Sequence, residues 1–335
     1  MRIGLSLPIE ERLHAPRLVA LAREAEVLGY DTVIVGEAGG AEAFSTLGAV
    51  GMATHSVQLM TGIVPIANRS PVLAAMGFAT LASLFPGRVV AGVGVSSPIV
   101  AGWHERDFPP PLTAAREFVP KLQKLLRGEL RPGGFRLGMP FQGEIPVVMA
   151  AMNPGMLRLA GQLADGVNIA WTPPDELPAK VALVREGAES VGRDPDAVLV
   201  IASVLGYDGP DPDRALERLR RMVLAYSMVP THQSAFVQSI ASLSAVQRAW
   251  DSGDRAAALS LVDDRAVRRL CAIGDGRAVA RRLDELDQAG ADLAVILPVG
   301  GALGDEPGLR STVRCAVGAA QAGAGAHVDG PRNDR

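Results

Sequence analysis

The segment Gly92-Val93-Gly94-Val95-Ser96-Ser97 follows an apolar run, as the phosphate-cradling loop of a dinucleotide site follows its strand. The third glycine of G-x-G-x-x-G is missing and Pro98 comes at once, which argues against a Rossmann site. Two glycines still let a ligand approach backbone N–H groups, and the Ser96 and Ser97 hydroxyls offer donors to a phosphate. The alternative is a tight turn with no ligand. His104-Glu105 begins a zinc-helix pattern, but Phe108 stands where the second histidine belongs. The five histidines are scattered, Cys271 and Cys315 lack metal-ligand spacing, and no G-x-S-x-G marks a serine nucleophile. No metal site is expected. Glu37 is a different case, because it follows the apolar run Thr32–Val35 and precedes Gly39-Gly40. Two readings stay open: an acid facing a site at the carboxyl ends of strands, or a loop carboxylate that caps the next helix.

Such residues need elements to hold them. Thirty-seven Gly and 24 Pro are spread through a chain that is 48% hydrophobic and 21% charged, which suits many short elements joined by tight turns. Apolar runs at 3–7, 32–35, 57–64, 89–95, 145–150, 166–170, 198–205 and 293–297 read as strands. They are continuous in the way a parallel sheet covered on both faces requires. Helical patterns lie between them: Leu18, Leu21, Ala22, Ala25 and Leu28 closed by Gly29, then about 42–53, 72–84 and 115–126. Asn153-Pro154 reads as an N-cap followed by Pro at the first helical position. Strand–helix units in this number favour an α/β fold of the closed (β/α)8 TIM-barrel type over an open sheet. Such barrels usually take ~250 residues. Insertions are therefore expected at about 129–145, as an extended excursion or hairpin, and at about 209–272, as several short helices. Residues 1–320 then form one barrel domain, and 321–335, with no periodic apolar face, a disordered tail.

Charge narrows the partners. Thirty-three Lys+Arg against 36 Asp+Glu leave a net of −3, and aromatics are 4% of the chain. Neither a basic stripe nor a base-stacking platform is offered to nucleic acid. No apolar run approaches the ~18 residues of a membrane span, and Glu10, Glu11 and Arg12 interrupt the start before a secretory core forms. Arg214, Arg218 and Arg221 share one helical face opposite Leu216, Leu219 and Val223, the pattern of a solvated amphipathic helix. The expectation is a cytoplasmic protein with a small-molecule substrate and no nucleic-acid or membrane partner.

Several segments, taken in order, carry a more specific likeness. They are residues 1–8 (MRIGLSLP), 29–37 (GYDTVIVGE), 59–71 (LMTGIVPIANRSP), 79–97 (ATLASLFPGRVVAGVGVSS), Gly102-Trp103-His104 and 146–171 (PVVMAAMNPGMLRLAGQLADGVNIAW), with Gly274-Asp275 before the last helix–strand unit. From Met1 to about Pro298 the chain resembles the luciferase-like monooxygenase superfamily, in its coenzyme F420-dependent oxidoreductase branch. The resemblance implies a barrel holding a deazaflavin at its carboxyl end. It implies a non-prolyl cis peptide at Gly62-Ile63, on a bulge after the third strand, propping the ring system. Gly94, Val95, Ser96 and Ser97 match the loop near the ring and ribityl chain. Ala150, Ala151 and Asn153 match the segment after strand five, whose following helix N-terminus suits an anionic group.

The resemblance also makes Glu37 the residue for orienting the ring or handling a proton, although many relatives have Asp-His where this chain has Glu37-Ala38. In one F420-like subgroup the Glu is followed by Ser-Tyr, and here Ala38-Gly39 removes that hydroxyl and aromatic. The implied activity is hydride transfer between C5 of F420 and an organic substrate, with Ile63, Val95 and Trp171 as an apolar pocket edge. An FMN-dependent monooxygenase using reduced flavin and oxygen, and a non-catalytic deazaflavin-binding protein, are the alternatives. A homodimer is expected by analogy with relatives.

Overall fold

A computed structural model describes residues 1–129 and 132–317. The tail expected at 321–335 lies outside the described residues. The strands are β1 (Ile3–Ser6), β2 (Thr32–Val35), β3 (Gln58–Thr61), β4 (Val64–Pro65), β5 (Val89–Gly94), β6 (Val147–Ala150), β7 (Gly166–Ala170), β8 (Leu199–Asp208), β9 (Cys271–Gly274) and β10 (Leu293–Pro298). All pair in parallel, in the order β10-β1-β2-β3-β5-β6-β7-β8, and β8 pairs again with β10 from Leu293↔Ile201 to Pro298↔Gly206. That second pairing closes an eight-stranded TIM barrel, with helices packed outside it. The outer core is built from helix faces such as Leu18, Leu21, Ala22 and Ala25 against the outward strand residues Ile3, Leu5, Val33 and Val35.

The structure refines the sequence expectation at three places, each with a local cause. The run at 57–64 is not one strand: pairing with β5 stops at Met60 and resumes at Val64, leaving a bulge at Gly62-Ile63. The segment at 129–145 forms no hairpin among the described residues, only a 3-10 turn at Pro132–Gly134 with Gly133 and Gly134 left-handed. Its glycines and prolines oppose regular strand pairing. The long insertion does hold short helices, at Leu243–Asp251, Arg255–Ser260 and Asp264–Leu270, but it ends in β9, a strand the sequence reading omitted. β9 pairs only with the carboxyl end of β8 among the described residues, from Leu205↔Cys271 to Asp208↔Gly274. The buried Asp208 secures it by accepting the N–H of Gly276 and of Val279. No described helix is long and apolar enough to cross a membrane.

Candidate active site

Register fixes which side chains point into the barrel, because neighbours in a parallel sheet face the same way and alternate along each strand. In the amino-terminal half the inward set is bulky: Ile34, Met60, Val148, Ile201, Leu293 and Val295 form one buried cluster, with Val90 and Leu199 packed on it. One step towards the carboxyl ends, the same faces carry Ser6, Gly36, Gly62, Gly94, Ala150, Asn168, Ala170 and Ser203. All of these but Gly94 are partly exposed, although they lie inside a closed barrel. The upper lumen is thus a hollow above an apolar plug.

Small residues are required at this level. A Cβ on Gly62 would overlap Ile34 Cγ2, and one on Gly94 would sit 3.1 Å from both Ala150 Cβ and Ile63 Cγ1. The Gly62-Ile63 peptide is cis, as the resemblance implies. Backbone bonds from Gly62 N–H to Val35 O (2.8 Å) and from Glu37 N–H to Ile63 O (3.2 Å) tie this bulge to the end of β2. Ile63 therefore lies against Gly94 at the floor of the hollow.

Glu37 stands in the loop after β2, its side chain only 9% exposed. Arg69 grips it as a fork, Nε to Oε1 at 3.2 Å and Nη2 to Oε2 at 2.9 Å. Nη2 also donates to Glu42 Oε1 at 2.7 Å, and the guanidinium lies 4.8 Å from the Phe44 ring centroid. Glu37 Oε2 further accepts from the N–H of Ala43, the first residue of helix Ala43–Ala53, at 3.3 Å. Glu42 caps the same helix through the N–H groups of Phe44 and Ser45. Burial pushes the Glu42 carboxyl up, but the Ser45 and Phe44 donors and Arg69 outweigh it and hold it below its ordinary value.

On the rim after β5, Val95 and Ser96 are partly exposed, and Ser96 is left-handed at φ 62°. Ser97 Oγ accepts the Val100 N–H at 3.3 Å, capping the short helix Pro98–Trp103 while its own proton stays free to donate. Trp103 is 63% exposed, and a Cβ on Gly39 would lie 3.4 Å from its ring. An aromatic thus borders the β2 loop despite the glycine there. After β6, Ala150 faces the lumen and Ala151 is buried, its N–H donating to Asn168 O at 3.1 Å. Asn153 holds the N-cap position of helix Pro154–Leu163 but does not cap it. Its Nδ2 donates to Thr231 O at 2.8 Å, and its Oδ1 accepts from Ser234 Oγ. The capping expectation fails because the long insertion supplies competing partners.

That insertion walls the other side. Trp171, left-handed at φ 54°, follows β7 directly. Its ring lies 4.8 Å from Tyr226 and 5.6 Å from Phe236, and Tyr226 stacks on His232 at 5.8 Å and 12°. Ala170, Leu297 and Met152 pack against this cluster, so it is continuous with the lumen. Burial pushes the Tyr226 hydroxyl up to about 12 and the His232 imidazole down. Across the mouth, buried Glu11 binds Arg218 at 2.7 Å, and Arg218 also donates to Gly300 O at 2.8 Å. Arg218 is therefore a partly buried tether between loops rather than part of a solvated face. Burial pushes the Glu11 carboxyl up against the opposing guanidinium.

This geometry can be set beside known proteins. Residues 1–293 match the luciferase-like monooxygenase family. The chain belongs to that family. An F420-dependent glucose-6-phosphate dehydrogenase of Mycolicibacterium fortuitum is 32% identical over 251 residues, covering 66% of this chain and 73% of that one. A protein of Mycobacterium tuberculosis named as a coenzyme F420-dependent oxidoreductase is 31% identical over 195 residues, 52% of this chain; the match spans only 55% of its length. A 5,10-methylenetetrahydromethanopterin reductase of Methanolobus tindarius is similarly matched over 60% of its length, at 29% identity. Among solved structures, the coenzyme F420-dependent tetrahydromethanopterin reductase of Methanopyrus kandleri superimposes with a TM-score of 0.75 at 22% identity, over 94% of this chain and 98% of that one. An FMN complex of a Baeyer–Villiger monooxygenase component from Pseudomonas putida gives 0.64 at 16%, over 95% and 97%. At those identities the two structures speak for the fold alone.

Within this luciferase-like barrel, Glu37, Gly62, Ile63, Gly94, Val95, Ser96, Ser97 and Ala150 all lie at the carboxyl ends of neighbouring strands β2 to β6. Ala151 and Asn153 sit one step outside the lumen. Arg69, Asn168, Ser203, Tyr226 and His232 were not singled out from the sequence. Strand parity is a signal that finds Asn168 and Ser203, since each lies an even number of residues from an apolar plug residue or its register partner. The insertion residues carry no such signal.

Proposed function

We propose that this protein is an F420-dependent oxidoreductase, in which a bound deazaflavin exchanges a hydride at C5 with a small organic substrate. The observation that carries the reading is the ring of small inward residues above the apolar plug. A planar tricycle needs a surface free of long side chains, and the inward residues Gly36, Gly62, Ala150, Ala170 and Ser203 are small and partly exposed at the carboxyl end of the barrel. Ile63 supplies an apolar surface beneath it. Ser96 and Ser97 line the rim with hydroxyls for a polar chain, and the N–H groups starting helix Pro154–Leu163 lack a side-chain cap and suit an anion. Glu37, with both oxygens engaged, positions the β2 loop through Arg69 and the Ala43 N–H. Trp103 and Trp171 screen the hollow from water on opposite sides. The F420-dependent relatives support the same cofactor.

Titrating the purified protein with F420 and with FMN, followed by cofactor fluorescence, tests the reading. F420 is expected to saturate at micromolar concentration or below, with FMN at least tenfold weaker. The reverse order, with oxygen uptake on reduced FMN, replaces this reading by a flavin monooxygenase. Tight F420 binding with no hydride transfer to any acceptor replaces it by a cofactor carrier.

A further inference from the structure

Two buried polar atoms next to the hollow have no partner among the described residues: Thr231 Oγ1 and His232 Nδ1. Unpaired buried polar atoms are uncommon and each normally has a reason. These two are consecutive in sequence and sit on a fastened segment. Thr231 O is held by Asn153, Ser234 Oγ by the same side chain, and the N–H of His232 by Val229 O at 2.9 Å. The segment is thus clamped to the end of β6. The His232 ring stacks on Tyr226, which packs on Trp171, and the cluster adjoins the lumen residues Ala170 and Leu297.

We infer that Thr231, His232, Tyr226 and Trp171 form the substrate subsite, and that it takes a flat, uncharged ring system carrying a carbonyl or hydroxyl oxygen. The inference rests on the oxidoreductase reading for its chemistry but not for its binding geometry. The Tyr226 and His232 rings lie parallel within 12°, and Trp171 leans on Tyr226 at 42°, so the stacked pair offers a planar face with an apolar edge. The imidazole nitrogen and the threonine hydroxyl can each donate to or accept from one oxygen substituent. Charge opposes an anion here. The nearby charge acting on the Tyr226 hydroxyl is the Glu10 carboxylate. The Lys180 ammonium beside this wall is already bonded to Thr172 Oγ1 at 2.7 Å, and burial pushes it towards its neutral form. A sugar phosphate, the substrate type named for one group of relatives, would meet at Lys180 an ammonium that is already engaged.

Equilibrium dialysis with three probes of one shape tests this: naphthalene, 2-naphthol and 2-naphthoate. Each is measured on the full chain with and without oxidised F420. The expected order is 2-naphthol tightest, naphthalene weaker by about three- to tenfold, as for one or two neutral hydrogen bonds, and 2-naphthoate weakest. Thr231→Val and His232→Phe keep the shape, and His232→Phe also keeps the stack. Each should shrink the naphthol–naphthalene ratio to below twofold and leave F420 affinity unchanged. An unchanged ratio in both variants, tighter binding of 2-naphthoate, or no binding of any probe overturns the inference. Loss of F420 binding by the parent protein strikes the oxidoreductase reading instead, since the probe series is read without cofactor as well. If one variant fails to fold by circular dichroism, the other decides.

Discussion

Glu37→Gln and Arg69→Gln, made singly and together, separate holding from proton transfer at the β2 loop. The fork is largely shielded, with side chains 9% and 18% exposed, so solvent screens it little. A hydrogen bond to a charged group contributes roughly 1.5–3 kcal/mol, while breaking a fully buried pair costs ~3–5. The amide introduced by Glu37→Gln would keep one oxygen for the Ala43 N–H or for Arg69, which places that variant at a loss of about 2 kcal/mol. Arg69→Gln strips a donor from both Glu37 and Glu42 and removes the contact with Phe44, so about 3 kcal/mol is expected. At ~2.1 cal/mol/K of unfolding entropy per residue, these become Tm drops of about 3 °C and 5 °C for a domain of this size. The double variant should fall no more than ~1 kcal/mol below Arg69→Gln, because both changes break one pair. Differential scanning fluorimetry reads the stabilities, and F420 titration should show both single variants weakened alike. If instead Glu37→Gln keeps parental Tm and affinity while turnover falls ~10²–10⁴-fold, the carboxylate handles a proton and the positioning argument is wrong.

Ala150→Leu should crowd Gly94 and Ile63, lowering Tm and reducing F420 binding at least a hundredfold at temperatures where the variant stays folded; retained binding would show that the ligand lies elsewhere. Acid stability should depend on Glu26. Burial alone pushes its carboxyl up, but the Ser56, His55 and Val57 N–H groups and the Ser56 hydroxyl hold it down to about 2, from an ordinary 4.5. Its folded value lies below its unfolded one, so its stabilisation is full above about pH 4.5 and disappears as pH falls towards 2. In Glu26→Gln the Tm should decline less steeply across that window. Tyr30→Phe deletes the buried bond from the Tyr30 hydroxyl to Val313 O (2.8 Å), and urea unfolding should register a loss of about 1 kcal/mol.

Legibility in the sequence followed the range of the interactions. The barrel strands were readable because a strand covered on both faces must be apolar throughout, and runs such as 166–170 and 293–297 have no helical period. The split at 61–64 was not readable from hydropathy, since Thr61, Ile63 and Val64 remain strand-like residues while the register breaks at Gly62; the family likeness supplied it. Glu37 could be singled out from its place after an apolar run, but its ion-pair partner could not: Arg69 lies 32 residues away, and only the adjacency of β2 and β3 brings the two loops together. Asn153 shows the opposite failure. Its local sequence, Asn before Pro, is a sound capping signal, yet partners 78 and 81 residues distant outcompeted the helix for its amide.

The same division bears on how the molecule separates stability from chemistry. The plug formed by Ile34, Met60, Val148, Ile201, Leu293 and Val295 lies wholly on barrel strands, and burying such side chains contributes roughly 1.5–3 kcal/mol each. It can therefore sustain an upper ring of glycine, alanine and serine that contributes almost no buried apolar surface. The ring owes its shape to close approach, as Gly62 against the Ile34 side chain and Gly36 against the Gly62 carbonyl show, so little variation is tolerated there. The aromatic wall comes mainly from a different part of the chain, the insertion after β8, and meets the barrel through Trp171, through apolar packing on Ala170, Leu205 and Leu297, and through polar contacts of Asn153, Arg218 and Arg269. Under the proposed substrate subsite, changes within residues 229–240 should alter the surface offered to substrate while the barrel strands keep their form. On the proposed reading, specificity and cofactor retention are then separable, because the elements assigned to them come from different parts of the chain.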